Sequence, residues 1–183
     1  SRTATLTALK YAKRNNKIIS YDPNWRPTLW KDAKSAKKEM FFPLKYVDIA
    51  KLSLGELQFL TGESNIQIAS DILYNMGIKL VLVTLGQDGC YYKHSSGSGQ
   101  IPAYRVDVVD TTGAGDAFLG GVLYNISKIG YSLEKVSRRE IEKIIEFSNV
   151  VGGLCTTKKG AIPAMPTMED VRNYVDNYHK FIN

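Results

Sequence analysis

The 183-residue chain has few of the side chains that build metal and disulfide frameworks: two cysteines and two histidines. Cys90 and Cys155 lie far apart, in neither a CxxC motif nor a paired zinc-ligand set, so two free thiols in a reducing compartment are expected. His94 and His179 have no neighbouring cysteine, which argues against a transition-metal site. No apolar run approaches the roughly 18 residues that span a bilayer, and Ser1-Arg2-Thr3-Ala4-Thr5 lacks the apolar region of a secretory signal. The expectation is a cytoplasmic protein with no membrane partner. Two common nucleotide-binding motifs are also absent. There is no G-x-x-x-x-G-K-[ST], and G-x-G-x-x-G fails because Phe118 stands third after Gly115.

What is present is ordinary globular composition, 44% hydrophobic and 23% charged, which excludes disorder and collagen. The length suits one domain with a continuous core. A net charge of +6 favours anionic ligands through long-range attraction. Tyr11, Tyr21, Tyr91, Tyr92 and Tyr104 do not interleave with basic residues as in a nucleic-acid surface, so no nucleic-acid partner is expected. Lys31, Lys34, Lys37 and Lys38 fall at helical spacing and read as a solvated face. The sequon Asn125-Ile126-Ser127 lies inside a predicted helix and carries no weight.

Periodicity gives an alternating helix and strand grammar. A helix around Leu6, Leu9 and Ala12 breaks at Asn15-Asn16 before a strand at Lys17–Tyr21. Two prolines make Asp22–Pro27 a loop. A helix at about Lys31–Met40, a strand at Val47–Leu52, and the capping box Ser53-Leu54-Gly55-Glu56 follow, the last opening a helix stopped at Gly62. Ser64 to Gln67 repeats the capping device for a helix ending near Gly77. The apolar run Lys79–Leu85 reads as a strand buried on both faces of a parallel sheet. Gly86 to Gly89 turns it into an antiparallel strand at Cys90–Lys93. His94–Gln100, rich in serine and glycine, is predicted as a mobile loop. Tyr104–Val109 alternates like a strand and feeds Asp110–Asp116. Helices are predicted from Ala117 to about Ser127, from the Ser137–Glu140 capping box to about Leu154, and from the Thr167–Asp170 box to about Phe181.

Strand, glycine-rich turn and helix together aim unpaired N–H groups and a helix dipole at an anion. Gly113-Ala114-Gly115 suits such a cradle, because small residues let the backbone approach a phosphate. Asp116 at the helix start is either a cap or a base that accepts a proton from an attacking hydroxyl. The nine-residue run Asp110-Thr111-Thr112-Gly113-Ala114-Gly115-Asp116-Ala117-Phe118 resembles the second signature of the ribokinase-like sugar kinases, the PfkB family. Asp22-Pro23-Asn24-Trp25-Arg26-Pro27 with Leu29-Trp30, Lys51-Leu52-Ser53 with Glu56-Leu57, Phe59–Gly62, Thr84-Leu85-Gly86 and Lys158–Pro163 are similar, in the same order, to its fructokinase branch.

That resemblance implies a three-layer αβα domain with a mostly parallel sheet, and ATP-dependent phosphorylation of a primary sugar hydroxyl, fructose first. It makes Asp116 the base and gives the amides of Gly113, Ala114 and Gly115 the charge on the transferring phosphoryl group. Thr84, Gly86, Asn149 and Gly160 match nucleotide-binding positions. Asn24 and Arg26, with Asp116, match sugar or phosphate contacts; otherwise Arg26 forms a salt bridge to Asp22. Glu56 matches the residue orienting Mg²⁺-bound water in an N-x-x-E motif, although Ser53 stands where asparagine is often found. Its alternative is the capping box. Asp110 and Thr112, with carbonyls in the stretch Cys155–Gly160, resemble a monovalent-cation site, here K⁺, although Ala164 occurs near a position where many relatives have serine.

The same resemblance makes residues 1–183 the C-terminal portion of one kinase domain, without the first strands of the sheet and the β-lid through which many relatives dimerise. Ser1–Lys10 reads as the interior of a family helix. A homodimer is implied for a full-length protein. The alternatives are a kinase acting on another acceptor, such as ribose, 2-keto-3-deoxygluconate or a nucleoside, and a catalytically silent nucleotide-binding fragment.

Overall fold

The computed structural model describes residues 2–182, with side chains through Asp176, so His179 lies outside the described side chains. The chain forms two compact units: Ser1–Leu85 with Tyr91–Gly99, and Gly86–Cys90 with Gln100–Asn183.

In the first unit, α1 (Arg2–Arg14) leads to β1 (Ser20–Tyr21), α2 (Ala33–Phe41), β2 (Ile49–Ser53), α3 (Leu54–Thr61), α4 (Ile66–Asn75) and β3 (Leu80–Thr84). The strands β4 (Cys90–His94) and β5 (Gly97–Ile101) complete a sheet in the order β1-β2-β3-β4-β5. β1, β2 and β3 are parallel, with Ser20 opposite Ile49 and Ile49 opposite Leu80. Ile49, Ala50, Leu52 and Leu80–Val83 have no exposed surface, as expected of strands covered on both faces. The links Leu85–Gly89 and Ser95-Ser96 are too short for a parallel crossover, so β4 and β5 turn back antiparallel. Ala36, Met40, Leu57, Leu60, Ala69 and Leu73 supply the helical side of this core.

Local chemistry explains most boundaries. Asp32 caps α2 by accepting from Ser35 N. Ser53 and Glu56 form the expected capping box, and Gly62 ends α3 at φ 80°. α4 departs from the sequence reading by one residue: Asn65, not Ser64, is its cap, accepting from the amides of Gln67 and Ile68. The asparagine carbonyl reaches two orphan donors at once. β1 is shorter than the expected Lys17–Tyr21, because Ile19 N–H is taken by the Asp48 side chain.

Two further expectations are corrected. The segment His94–Gln100 is not a mobile loop: after Ser95-Ser96 it becomes β5, since edge pairing uses backbone groups and tolerates Gly97-Ser98-Gly99. Conversely, Tyr104–Val109 is not a strand. Its neighbourhood is held by isolated bonds: Asn149 Nδ2 donates to Ile101 O and Pro102 O, Tyr174 Oη to Arg105 O, and Val109 N to Thr156 O. Alternation marked a half-buried segment, but among the described residues no strand pairs with it.

The second unit contains α5 (Ala114–Ile126), α6 (Arg138–Cys155) and α7 (Met168–Ile182). The Ser137–Glu140 capping box starts α6, and Thr167 and Asp170 exchange the same pair of bonds at the start of α7. α5 and α6 approach closely because glycine occupies both contact points. A Cβ on Gly121 would lie 3.1 Å from Ser148 Cα, and one on Gly152 would lie 3.2 Å from Ala114 O. Gly121→Val is therefore expected to destabilise the protein by about 1–3 kcal/mol through overpacking. Gly120→Ala, whose Cβ would meet nothing within 4 Å, should leave the thermal midpoint unchanged or raise it. Thermal denaturation of the two variants checks this, and equal losses would contradict the close-packing argument.

Candidate active site

The second unit builds a cradle at the start of α5. Gly113 is the N-cap, at φ 82°, and offers no side-chain cap. A Cβ there would sit 2.7 Å from Ala161 Cβ and 2.9 Å from Ala161 Cα, so close approach and left-handed backbone both require glycine. Ala114 N–H donates to Thr111 O at 3.2 Å, which removes one of the three amides expected to face a phosphoryl group. Among the described residues, the Gly113 and Gly115 amides have no partner and remain open. Together with the α5 dipole they form a ready anion site.

Asp110 fixes the loop that carries this cradle. Its Oδ1 accepts from Thr112 N (2.9 Å) and Thr112 Oγ1 (2.7 Å), and its Oδ2 accepts from Gly160 N (2.9 Å). These bonds to the charged form, led by the Thr112 hydroxyl and the Gly160 amide, lower its pKa from 3.8 to about 2. Gly160, at φ 87°, thus closes the loop after α6 onto the segment before α5.

Asp116 is the third residue of α5, and its side chain has no hydrogen bond or ion pair among the described residues. Its carboxylate caps no amide among the described residues. The Cys155 thiol is buried beneath the cradle, with Sγ 3.9 Å from Thr112 O and 4.0 Å from Ala161 O. Desolvation first, then the charges of Asp116 and Asp110, push its pKa up and keep it protonated. Asp116 also borders a cavity of about 340 Å³, walled by Gly120, Gly121, Tyr124 and Phe147.

Asn149 has a role that spacing did not suggest. It is only 6% exposed, and its amide nitrogen donates to Ile101 O and Pro102 O, so it anchors the backbone after β5.

The first unit presents a second group of predicted residues on the loop after β1. Asn24 and Arg26 are both exposed. Asn24 adopts φ 47° and its N–H donates to Asp22 Oδ1. Asp22 pairs with Lys51 at 2.5 Å and, among the described residues, not with Arg26, whose Nη1 donates to Trp25 O. Glu56 is buried and accepts three bonds, from Trp25 N at 2.6 Å and from Ser53 N and Oγ at 2.8 Å. The capping-box reading of Glu56 therefore holds, and the same carboxylate also ties down the loop. Burial, then the charges of Asp22 and Glu56, raise the Tyr21 pKa to about 12. Thr84 ends β3 with Oγ1 on Leu52 O, and Gly86 turns the chain at φ 62° with open space around it.

Sequence reasoning missed that Lys51, from β2, and the Trp25 amide anchor this loop. The available signal was a lysine inside an apolar, strand-forming run, Ile49-Ala50-Lys51-Leu52.

An uncapped helix start with open amides and a nearby unbonded carboxylate is an arrangement suited to holding an anion such as a phosphate. The chain belongs to the pfkB family of carbohydrate kinases, whose family model matches residues 1–168. It is 40% identical over 178 residues to fructokinase-1 of Zea mays, covering 96% of this chain and 54% of that protein. Among solved structures, fructokinase from Vibrio cholerae in its fructose, ADP and calcium ion bound form matches with a TM-score of 0.85 and 32% identity, over 93% of this chain and 55% of that one. Aminoimidazole riboside kinase from Salmonella enterica, complexed with aminoimidazole riboside and an ATP analogue, matches with a TM-score of 0.82 and 30% identity, over 94% and 57%. The fold is accordingly the ribokinase-like αβα fold. The chain spans about half the length of the curated relatives it matches.

Because the folded state lowers the Asp110 pKa, its bonds contribute stability above the ordinary value of 3.8, and the contribution is lost as pH falls toward about 2. Asp110→Asn is expected to lower the thermal midpoint near neutral pH. The gap to the unaltered chain should narrow through that acidic window. Melting curves across pH 7 to roughly 2.5 test this, and a gap independent of pH would refute the assignment.

Proposed function

We propose that the chain is the nucleotide-binding and catalytic portion of a sugar kinase that transfers the γ-phosphoryl group of ATP to a primary hydroxyl of fructose. The observation that carries this is the pairing of an unbonded Asp116 carboxylate with the open amides of Gly113 and Gly115 at the start of α5. In this reading the acceptor oxygen forms a bond to the γ-phosphorus, the bond to the bridging oxygen of ADP breaks, and the hydroxyl proton goes to Asp116. The two amides hold the oxygen charge that develops on the transferring group. Thr84, Gly86 and Gly160 contribute to the nucleotide site, and Asn149 supports it through the backbone it anchors. Asn24 and Arg26 contact the sugar or the phosphates, for which the planar guanidinium is suited.

Mg²⁺ bound with ATP neutralises phosphate charge. Both Glu56 oxygens already take protein donors, so Glu56 fits as an acceptor for a metal-bound water rather than as a direct ligand. For a monovalent cation such as K⁺, Asp110 and Thr112 with carbonyls in the stretch Cys155–Gly160 are the candidate donors, and Ala164 adds no side-chain oxygen.

Fructose is favoured by the likeness to plant fructokinases and to the Vibrio cholerae fructokinase. A riboside acceptor is the second reading, favoured by the likeness to aminoimidazole riboside kinase. The test is ADP release with MgATP and a panel of fructose, ribose, 2-keto-3-deoxygluconate and adenosine, run on this chain and on a full-length family form carrying it. Fructose is expected to give the highest turnover, and Asp116→Asn should reduce it by about 10²–10⁴-fold. Undiminished turnover in Asp116→Asn would remove the proposed mechanism.

A further inference from the structure

Lys51 is the one charged residue among the buried positions of β2, where Ile49, Ala50 and Leu52 are fully buried and Lys51 itself is 6% exposed. A buried ammonium is costly unless paired, and replacing a buried ion pair with apolar side chains is often neutral or stabilising. Stability alone therefore does not account for a lysine here.

The partner explains it. Lys51 Nζ lies 2.5 Å from Asp22 Oδ2, with the Asp22 side chain also largely buried. The other carboxylate oxygen, Oδ1, accepts from Asn24 N at 3.1 Å, an Asx-type turn that holds Asn24 at φ 47°. One residue on, Trp25 N–H binds Glu56, and the Trp25 ring stacks on Phe59 with centroids 3.9 Å apart and planes 8° from parallel. The loop is thus fastened at Asp22 and again at Trp25. Asn24 and Arg26, between and beyond these anchors, are left exposed.

We infer that Lys51 is a positioning residue: through Asp22 it sets the conformation in which Asn24 and Arg26 are presented to the acceptor or its phosphate. The inference rests on the proposed reading of those two side chains as substrate contacts. The Trp25–Glu56 anchor restrains one end of the loop, and the Lys51–Asp22 pair restrains the other. Without the pair, Asp22 is free to turn toward water, and the Asn24 turn loses the acceptor that holds it.

Two variants of the full chain test this, Lys51→Met and the double variant Asp22→Asn/Lys51→Met, the second leaving no buried charge unpaired. Amide hydrogen exchange is read at Asn24 and Trp25, with Leu82 and Val83 in β3 as internal controls. Protection at Asn24 and Trp25 should fall by about tenfold or more in both variants while the β3 amides stay protected. In the ADP-release assay, KM for the accepted sugar should rise by about tenfold with a smaller change in kcat. In an Asn24→Ala/Arg26→Ala background, Lys51→Met should add no further change to KM, since it acts through these two side chains.

Unchanged exchange at Asn24 and Trp25 in the double variant would overturn the inference. So would a uniform loss of protection across β3, which would mark Lys51 as purely structural, or an undiminished effect of Lys51→Met on KM in the Asn24→Ala/Arg26→Ala background. If the unaltered protein turns over no sugar, the kinase reading fails separately, and the exchange measurement still decides whether Lys51 fixes the loop.

Discussion

The candidate site depends on one carboxylate. Asp110 receives Thr112 on one oxygen and Gly160 on the other, and so joins the segment before α5 to the segment after α6. Gly113 can then pack against Ala161 at a distance that admits no side chain, which leaves the start of α5 without a cap. An uncapped helix start is ordinarily a defect, because its first amides have no partner. Here the same defect leaves amides that suit an anion, and Asp116 stands in the first turn of the same helix.

The first unit solves a related problem by different means. A loop carrying exposed Asn24 and Arg26 would lose much conformational entropy on meeting a ligand if it were free. It is instead held in place beforehand. Glu56 serves twice, closing the α3 capping box and accepting the Trp25 amide, so the geometry of a helix start is transmitted to the loop. The buried Asp22–Lys51 pair adds a directional restraint that an apolar contact would not provide. Both units therefore rely on carboxylates that accept several backbone or side-chain donors at once, a strong arrangement because each bond is charge-assisted.

Much of this was legible before any coordinates. The apolar run through Leu80–Val83, the capping boxes at Ser53 and Ser137, and the turn at Gly86–Gly89 each follow from short-range stereochemistry, and each appears where expected. The cradle motif was also readable, because glycine at Gly113 and the order strand-like segment, turn, helix are local features. The errors fell on pairing. Gly97-Ser98-Gly99 has little strand propensity yet pairs at the edge of the sheet, and Tyr104–Val109 has the alternation of a strand yet joins none.

The sequence by itself determined most helix starts and stops, the buried parallel strands and the family, because these depend on residue type and near-neighbour spacing. Tertiary structure alone decided that Asn149 anchors a backbone segment, that Glu56 holds Trp25, that Asp22 pairs with Lys51 rather than Arg26, and that Ala114 N–H is already occupied. Each of these is a choice among several chemically equivalent donors and acceptors. Spacing along the chain cannot rank such partners; only the packing that brings one within 3 Å and excludes the others does so.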